Sequence, residues 1–237
     1  MTGERGSEPL GAAFAPLHVV VPLRSLAGGK ARLGGALDAE EREELVLGML
    51  RHTLLVLGTW PACARVHVVS PDIRLLRLVR SSGVDTVLQP GEGLNEGLRL
   101  GRHAAMKEGA RSVLILPADL PLLETSSLER LLEAADAALA AGSGSPLVGI
   151  GPSDARNGTN ALLLSPPGVI DPSFGLASFE AHVRAAAAAD ASLQVVTDAG
   201  LGFDLDTPED VEVLLPETLE SLLRLGQELA TPGSSGS

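Results

Sequence analysis

Short apolar runs alternate with amphipathic segments along nearly the whole chain, and this alternation restricts the fold more than any other feature. The runs occupy residues 18–22, 65–70, 85–89, 112–117, 147–150, 160–164 and 193–196. Each has the length of a strand and is bounded by turn residues. Asp38 precedes a Glu-rich segment that carries Leu45, Met49, Leu50 and Leu54 at helical spacing. Ser126 and Glu129 read as a capping box ahead of Leu131, Leu132 and Ala135. Thr207, Pro208 and Asp210 open a last helix with Val211, Leu214 and Leu215. Such a succession predicts an α/β fold: right-handed crossovers, a mainly parallel sheet and helices on both faces. No helical pattern separates 147–150 from 160–164, so these two are expected as a hairpin and the sheet as mixed.

Residues 1–16 read as a flexible polar lead and 230–237 as a disordered tail, leaving one domain over 17–229. The chain is 45% hydrophobic but only 2% aromatic and has no Tyr, so its core must be aliphatic. A net charge of −12 argues against a nucleic-acid partner. An acidic protein that binds a polyanion has to gather its cations locally or recruit metal ions. Cys63 is the only cysteine; it reads as a small apolar residue, and no Cys-rich zinc site can form. Gly11 and Pro16 break the first apolar stretch, which is not a signal peptide, and no run of 18 apolar residues occurs. A cytoplasmic protein without a membrane partner is the expectation. The apolar stripe over 211–229 either packs internally or forms a homodimer interface.

In open α/β sheets, ligands bind beyond the carboxyl ends of the strands. After the first run comes Gly28-Gly29-Lys30-Ala31-Arg32, with Arg24 just before it. It matches neither GxGxxG nor GxxxxGK[ST]. Glycines let backbone N–H groups approach phosphate, Lys brings a point charge and Arg a planar fork. This loop is a phosphate site or, alternatively, a solvated surface turn. Asp119 stands between Pro117 and Pro121 after the fourth run, and Asp204 and Asp206 follow the last. In extended chain, alternate residues face one side, roughly 6.6 Å apart at Cα. Thr207 and Asp210 already suffice to cap the next helix, so at least one of the two earlier aspartates is spare. Asp119 with one or both of them matches what Mg²⁺ needs, since magnesium takes one or two protein carboxylates and completes its shell with water and phosphate. The competing role for Asp119 is turn formation. The five histidines (18, 52, 67, 103 and 182) form no nucleophile arrangement with Ser or Cys. A substrate phosphate needs no enzyme base, because it is already ionised near neutral pH.

These motifs and their order resemble the guanylyltransferases of coenzyme F-420 biosynthesis, which act on 2-phospho-L-lactate or phosphoenolpyruvate. The resemblance rests on Val21-Pro22-Leu23 through Leu33, Gly93-Leu94-Asn95 and Leu116 to Pro121. It continues in Gly158-Thr159-Asn160, Phe174-Gly175-Leu176-Ala177-Ser178 with His182, and Phe203 to Asp210. It implies a Rossmann-like nucleotidyltransferase fold of the nucleotide-diphospho-sugar transferase type, GTP as donor and Mg²⁺ as cofactor. It further implies Thr159, Gly175 and Ser178 as ligands of a phosphorylated three-carbon acid, and Asp119, Asp204 and Asp206 as metal carboxylates. Lys30 and Asp119 are then catalytic, while Gly28, Gly29, Lys30, Arg32 and Asn95 contact the nucleotide. Ser178 reads independently as a helix N-cap, and Thr159 as a β-branched strand residue. A nucleotidyltransferase for a sugar phosphate or the molybdenum cofactor, and a non-catalytic GTP-binding protein, are the rival readings.

Overall fold

The computed structural model describes residues 9–26, 30–91, 93–142, 146–154 and 157–231. The first half runs β1 (Leu17–Pro22), α1 (Ala39–Thr59), β2 (Cys63–Ser70), α2 (Ile73–Val79), β3 (Asp85–Leu88), α3 (Leu94–Lys107) and β4 (Ser112–Ile115). The second half runs α4 (Thr125–Ala140), β5 (Leu147–Pro152), β6 (Thr159–Ser165), α5 (Ser178–Ala188), β7 (Ser192–Val195), α6 (Ala199–Gly202), α7 (Pro208–Val213) and α8 (Pro216–Ala230). All seven expected strands form, in the order β3-β2-β1-β4-β6-β5-β7. The hairpin is present too. β6 runs antiparallel to β4 and to β5, and the remaining pairs are parallel.

Alternation along the strands divides the core into two layers. Val19, Val21, Leu114, Leu116 and Leu163 face α1, α4 and α8. Val20, Val113, Ile115 and Leu162 face α3 and α5. Helices thus cover both faces, as the alternation requires. The α1–α8 contact is unusually close. A Cβ on Gly48 would stand 1.8 Å from the Leu222 carbonyl oxygen, and one on Gly226 would stand 1.9 Å from that of Glu44. The stripe on α8, with Leu222 and Leu229 buried, is therefore spent inside the chain.

Four expectations change. Phe14 is fully buried and the Gly11 N–H bonds the Asp136 carboxylate at 2.7 Å, so packed structure begins before residue 17. Only residues 1–8 of the expected lead, and 232–237 of the tail, lie outside the described residues. Ser126 and Glu129 form no capping box: α4 starts at Thr125 and has no side-chain cap, because the helix begins one residue before the serine. The last helix is two. Thr207 and Asp210 do form a capping box, but α7 ends at Val213 and Pro216 starts α8. Pro216 has no N–H to continue α7, which sends the chain into a new helix.

Candidate active site

The antiparallel course of β6 brings its first residues to the rim where the parallel strands end. Thr159 and Asn160 therefore stand beside the loop that leaves β4 and carries Asp119. The end of α6 and the segment after it cross the same rim. The Gly202 carbonyl accepts from Asp154 N–H at 3.0 Å and from Asn160 Nδ2 at 3.2 Å. The Leu205 N–H donates to the Asp119 carbonyl at 3.1 Å, and the Leu205 side chain is fully buried. Leu205 pins the segment inward, so Asp204 and Asp206 on either side of it turn toward Asp119.

Lys30 closes this cluster. Its ammonium contacts Asp119 at 2.8 Å and Asp206 at 2.5 Å, with its side chain only 11% exposed. The backbone there is left-handed, at φ 52°, and caps a 3-10 turn anchored by buried Leu33. Burial works against the charge on Lys30, but the two carboxylates outweigh it and hold its pKa above the ordinary lysine value. Asp204 is pushed up, first by burial and then by the charges of Asp119 and Asp206; a hydrogen bond from Asn160 Nδ2 and the Lys30 charge oppose this.

Among the described residues, no three His, Cys, Asp or Glu side chains stand ready to hold a metal on their own. In chemistry, if not in this placement, the donors suit a hard cation. Three carboxylates face one ammonium, which leaves two negative charges over, and oxygen is the donor magnesium prefers. Gly28 and Gly29 lie outside the described residues. Arg32 is exposed at the same loop. Ser25 Oγ and the Leu26 N–H both donate to Asp72, at 3.2 and 3.1 Å, so Asp72 fastens the start of that loop. Burial raises the Asp72 pKa, yet these bonds and the N–H groups of Leu75 and Arg74 outweigh it and leave the group below its ordinary range. The sequence signal was an N-cap Asp ahead of α2, which the motif reading passed over.

The second half of the rim is built around neutral groups. Thr159 is buried, and its hydroxyl lies 2.9 Å from His182 Nδ1. His182 Nε2 accepts from the Ser173 N–H at 2.9 Å. Asn95 holds the next residue at both ends, giving Nδ2–H to the Phe174 carbonyl at 2.9 Å and taking its N–H at 2.7 Å. Arg102, two turns further along α3, donates to the Ile170 carbonyl at 2.7 Å. The amide of Asn95 is thus committed to the loop before Gly175. Gln89 likewise donates to the Gly93 carbonyl. Gly175 has φ 125°, a conformation that only glycine adopts readily. Ser178 is not the N-cap of α5. Ala177 takes that place in left-handed backbone, no side chain caps the helix, and Ser178 is the first helical residue and buried. The first-turn N–H groups of α5 consequently have no capping side chain, a setting that favours anions. The sequence names no partner for His182 or Arg102, because His182 meets the Thr159 hydroxyl 23 residues away and Arg102 the Ile170 carbonyl 68 residues away. Burial pushes the Cys63 thiol up to about 12, which removes it as a nucleophile.

Known proteins resemble this chain in sequence and in fold. The family profile described as "Guanylyl transferase CofC like" matches residues 17–218. A phosphoenolpyruvate guanylyltransferase of Rubrobacter xylanophilus is 45% identical over 195 residues, covering 82% of this chain and 91% of the relative. One of the same name from Sphaerobacter thermophilus is 40% identical, covering 82% and 90%. A 3-phospho-D-glycerate guanylyltransferase of Phenylobacterium zucineum is 36% identical, covering 83% and 88%. In three dimensions, a Desulfovibrio desulfuricans G20 protein described as a nucleotide-diphospho-sugar transferase superposes with a TM-score of 0.69 at 17% identity, covering 90% of this chain and 96% of its own. That likeness fixes the fold, a nucleotide-diphospho-sugar transferase type of α/β sheet. With a profile match that runs through every strand of the sheet, the chain belongs to the CofC-like guanylyl transferase family.

Proposed function

We propose that this protein moves GMP from GTP to the phosphate of phosphoenolpyruvate, or of 2-phospho-L-lactate, in coenzyme F-420 biosynthesis. Pyrophosphate is the second product. The observation that carries this reading is the meeting of Lys30, Asp119, Asp204 and Asp206 at one strand-end rim. An oxygen of the acceptor phosphate bonds to the α-phosphorus of GTP. The bond from that phosphorus to the bridging oxygen breaks, and pyrophosphate leaves with the electron pair. The acceptor is already an anion, so no residue has to remove a proton, and none of the histidines touches the carboxylate cluster. Catalysis is then alignment and charge neutralisation.

Lys30 gives its ammonium to the nucleotide phosphates, beside Gly28, Gly29 and Arg32. Asp119, Asp204 and Asp206 are the residues that would hold Mg²⁺, which supplies charge neutralisation for the phosphates when bound. Thr159, Gly175 and Ser178 receive the three-carbon acid, and Asn95 acts by fixing the loop that carries Gly175. The relatives of 45% and 40% identity favour phosphoenolpyruvate, and the relative of 36% identity makes 3-phospho-D-glycerate the competitor. Purified protein incubated with GTP, Mg²⁺ and each of the three acids tests this, with products read by mass. Guanylylated phosphoenolpyruvate, in which a diphosphate joins enolpyruvate to guanosine, supports the proposal as the main product. Pyrophosphate release with a sugar phosphate, and with none of the acids, contradicts it.

A further inference from the structure

The partners of His182 dictate where its proton sits. A backbone N–H can only donate, so the Ser173 N–H at 2.9 Å requires a lone pair on Nε2. The neutral ring then carries its proton on Nδ1, which faces the Thr159 hydroxyl oxygen at 2.9 Å. Thr159 therefore accepts, and its own hydrogen remains to be donated elsewhere. The other tautomer would reverse this: Thr159 would spend its hydrogen on the ring and turn only lone pairs to a ligand. An imidazolium would set two N–H groups against each other. Burial holds the His182 pKa down to about 4, so the neutral ring is the species present near pH 7.

The same ring ties three elements together. It belongs to α5, bonds the first residue of β6, and bonds the loop at Ser173. Phe174 packs edge-on against it, with centroids 5.2 Å apart, and Asn95 grips Phe174 from α3. Thr159 and Ser178 are 4% and 1% exposed, so an anion that reaches them leaves water behind. In such a site the direction of one hydroxyl matters, because a buried anion facing lone pairs is disfavoured.

We propose that His182 is a positioning residue of the acceptor site: it aims the Thr159 hydroxyl hydrogen at the acceptor anion and locks the loop bearing Gly175 and Ser178 to β6. This deepens guanylyl transfer to a phospho-acid, and rests on that reading. Two substitutions divide the ring's bonds. His182→Asn keeps a donor near the Nδ1 position, and His182→Gln keeps an acceptor near the Nε2 position. The Asn variant is expected to stay within roughly 5-fold of the wild-type KM for the phospho-acid, and the Gln variant to raise it roughly 30-fold, with the KM for GTP within about 2-fold in each. A Gln variant with an unchanged acceptor KM, or equal losses for GTP and the acid, overturns the proposal. Should these variants not fold, ¹⁵N NMR of the wild-type ring at pH 7 decides it. A proton on Nδ1 supports the assignment, and a proton on Nε2 overturns it. A wild-type protein that guanylylates no phospho-acid refutes the functional reading instead, and the NMR result still settles the direction of the Thr159 hydroxyl.

Discussion

The two halves of the rim solve opposite problems. Around Lys30, Asp119, Asp204 and Asp206 the protein gathers unbalanced charge and leaves it partly open, with Asp206 43% exposed on its side chain. Around Thr159, His182, Ser173 and Asn95 it uses neutral groups, each bonded to another, and buries the Thr159–His182 pair at the centre. Charge suits a nucleotide whose phosphates change partners during transfer, because the field persists while individual contacts rearrange. A fixed neutral network suits an acceptor that has to be held in one pose. Under the proposed assignment, donor and acceptor recognition fail separately, and substitutions should expose that.

The largest separation is expected from Asp119→Asn. Removing one negative charge from the donor half should cut pyrophosphate release by about 10³-fold, or ~4 kcal/mol of barrier, with the melting temperature close to wild type. Steady-state kinetics and calorimetry read the two quantities; near-normal turnover would take Asp119 out of the chemistry. Gly48→Ala, on the α1–α8 seam, should do the reverse. Its Cβ would meet the Leu222 carbonyl at 1.8 Å, so α1 and α8 must part, at a cost of about 3 kcal/mol in urea unfolding. KM values measured on the remaining folded protein should not change. If they do, the α1–α8 seam and the rim are mechanically coupled.

Acid should strike the acceptor half through His182. Its folded pKa of about 4 lies below the ordinary value of 6.5, because the ring is buried. Between those values the unfolded chain binds a proton that the native state refuses, so stability is complete above 6.5 and falls as pH drops toward 4. The full span is on the order of 3 kcal/mol. His18, His52 and His67 are also lowered, chiefly by burial, and add in the same direction. The diagnostic is therefore a difference: His182→Asn should flatten the slope of unfolding free energy against pH by about one proton across that window. An unchanged slope would mean that the wild-type ring is already protonated. Gly175→Ala is the mildest case. No atom within 4 Å obstructs a Cβ there, but φ 125° does. The strain is about 2 kcal/mol, and it should appear as a weaker acceptor KM with the KM for GTP unaffected.

Much of this was legible in the sequence, and what was not follows a pattern. The strands were readable because the alternation of apolar and turn residues is local. Asp204 and Asp206 were readable because Thr207 and Asp210 already accounted for the cap. The Ser126 box and the Ser178 cap failed because helix starts shift by a residue when tertiary packing chooses them. The single last helix failed at Pro216, whose position after Leu214 and Leu215 was outweighed by the apolar spacing. Asn95, Arg102, Asp72 and His182 had no signal of partnership, since each has a partner, side chain or backbone, on a segment that only the fold brings near. The place of Thr159 depended on β6 running antiparallel, which turns the amino end of a strand toward the ligand rim.

The most direct test of a shared charged centre uses Mn²⁺ in place of Mg²⁺. Electron paramagnetic resonance would follow Mn²⁺ binding to the protein with a non-hydrolysable GTP analogue. Wild-type protein should bind the ion tightly, and Asp119→Asn and Asp204→Asn should each weaken it by roughly 10-fold or more without altering the fold. Equal Mn²⁺ affinity in wild type and both variants would contradict a metal–nucleotide centre built on these carboxylates.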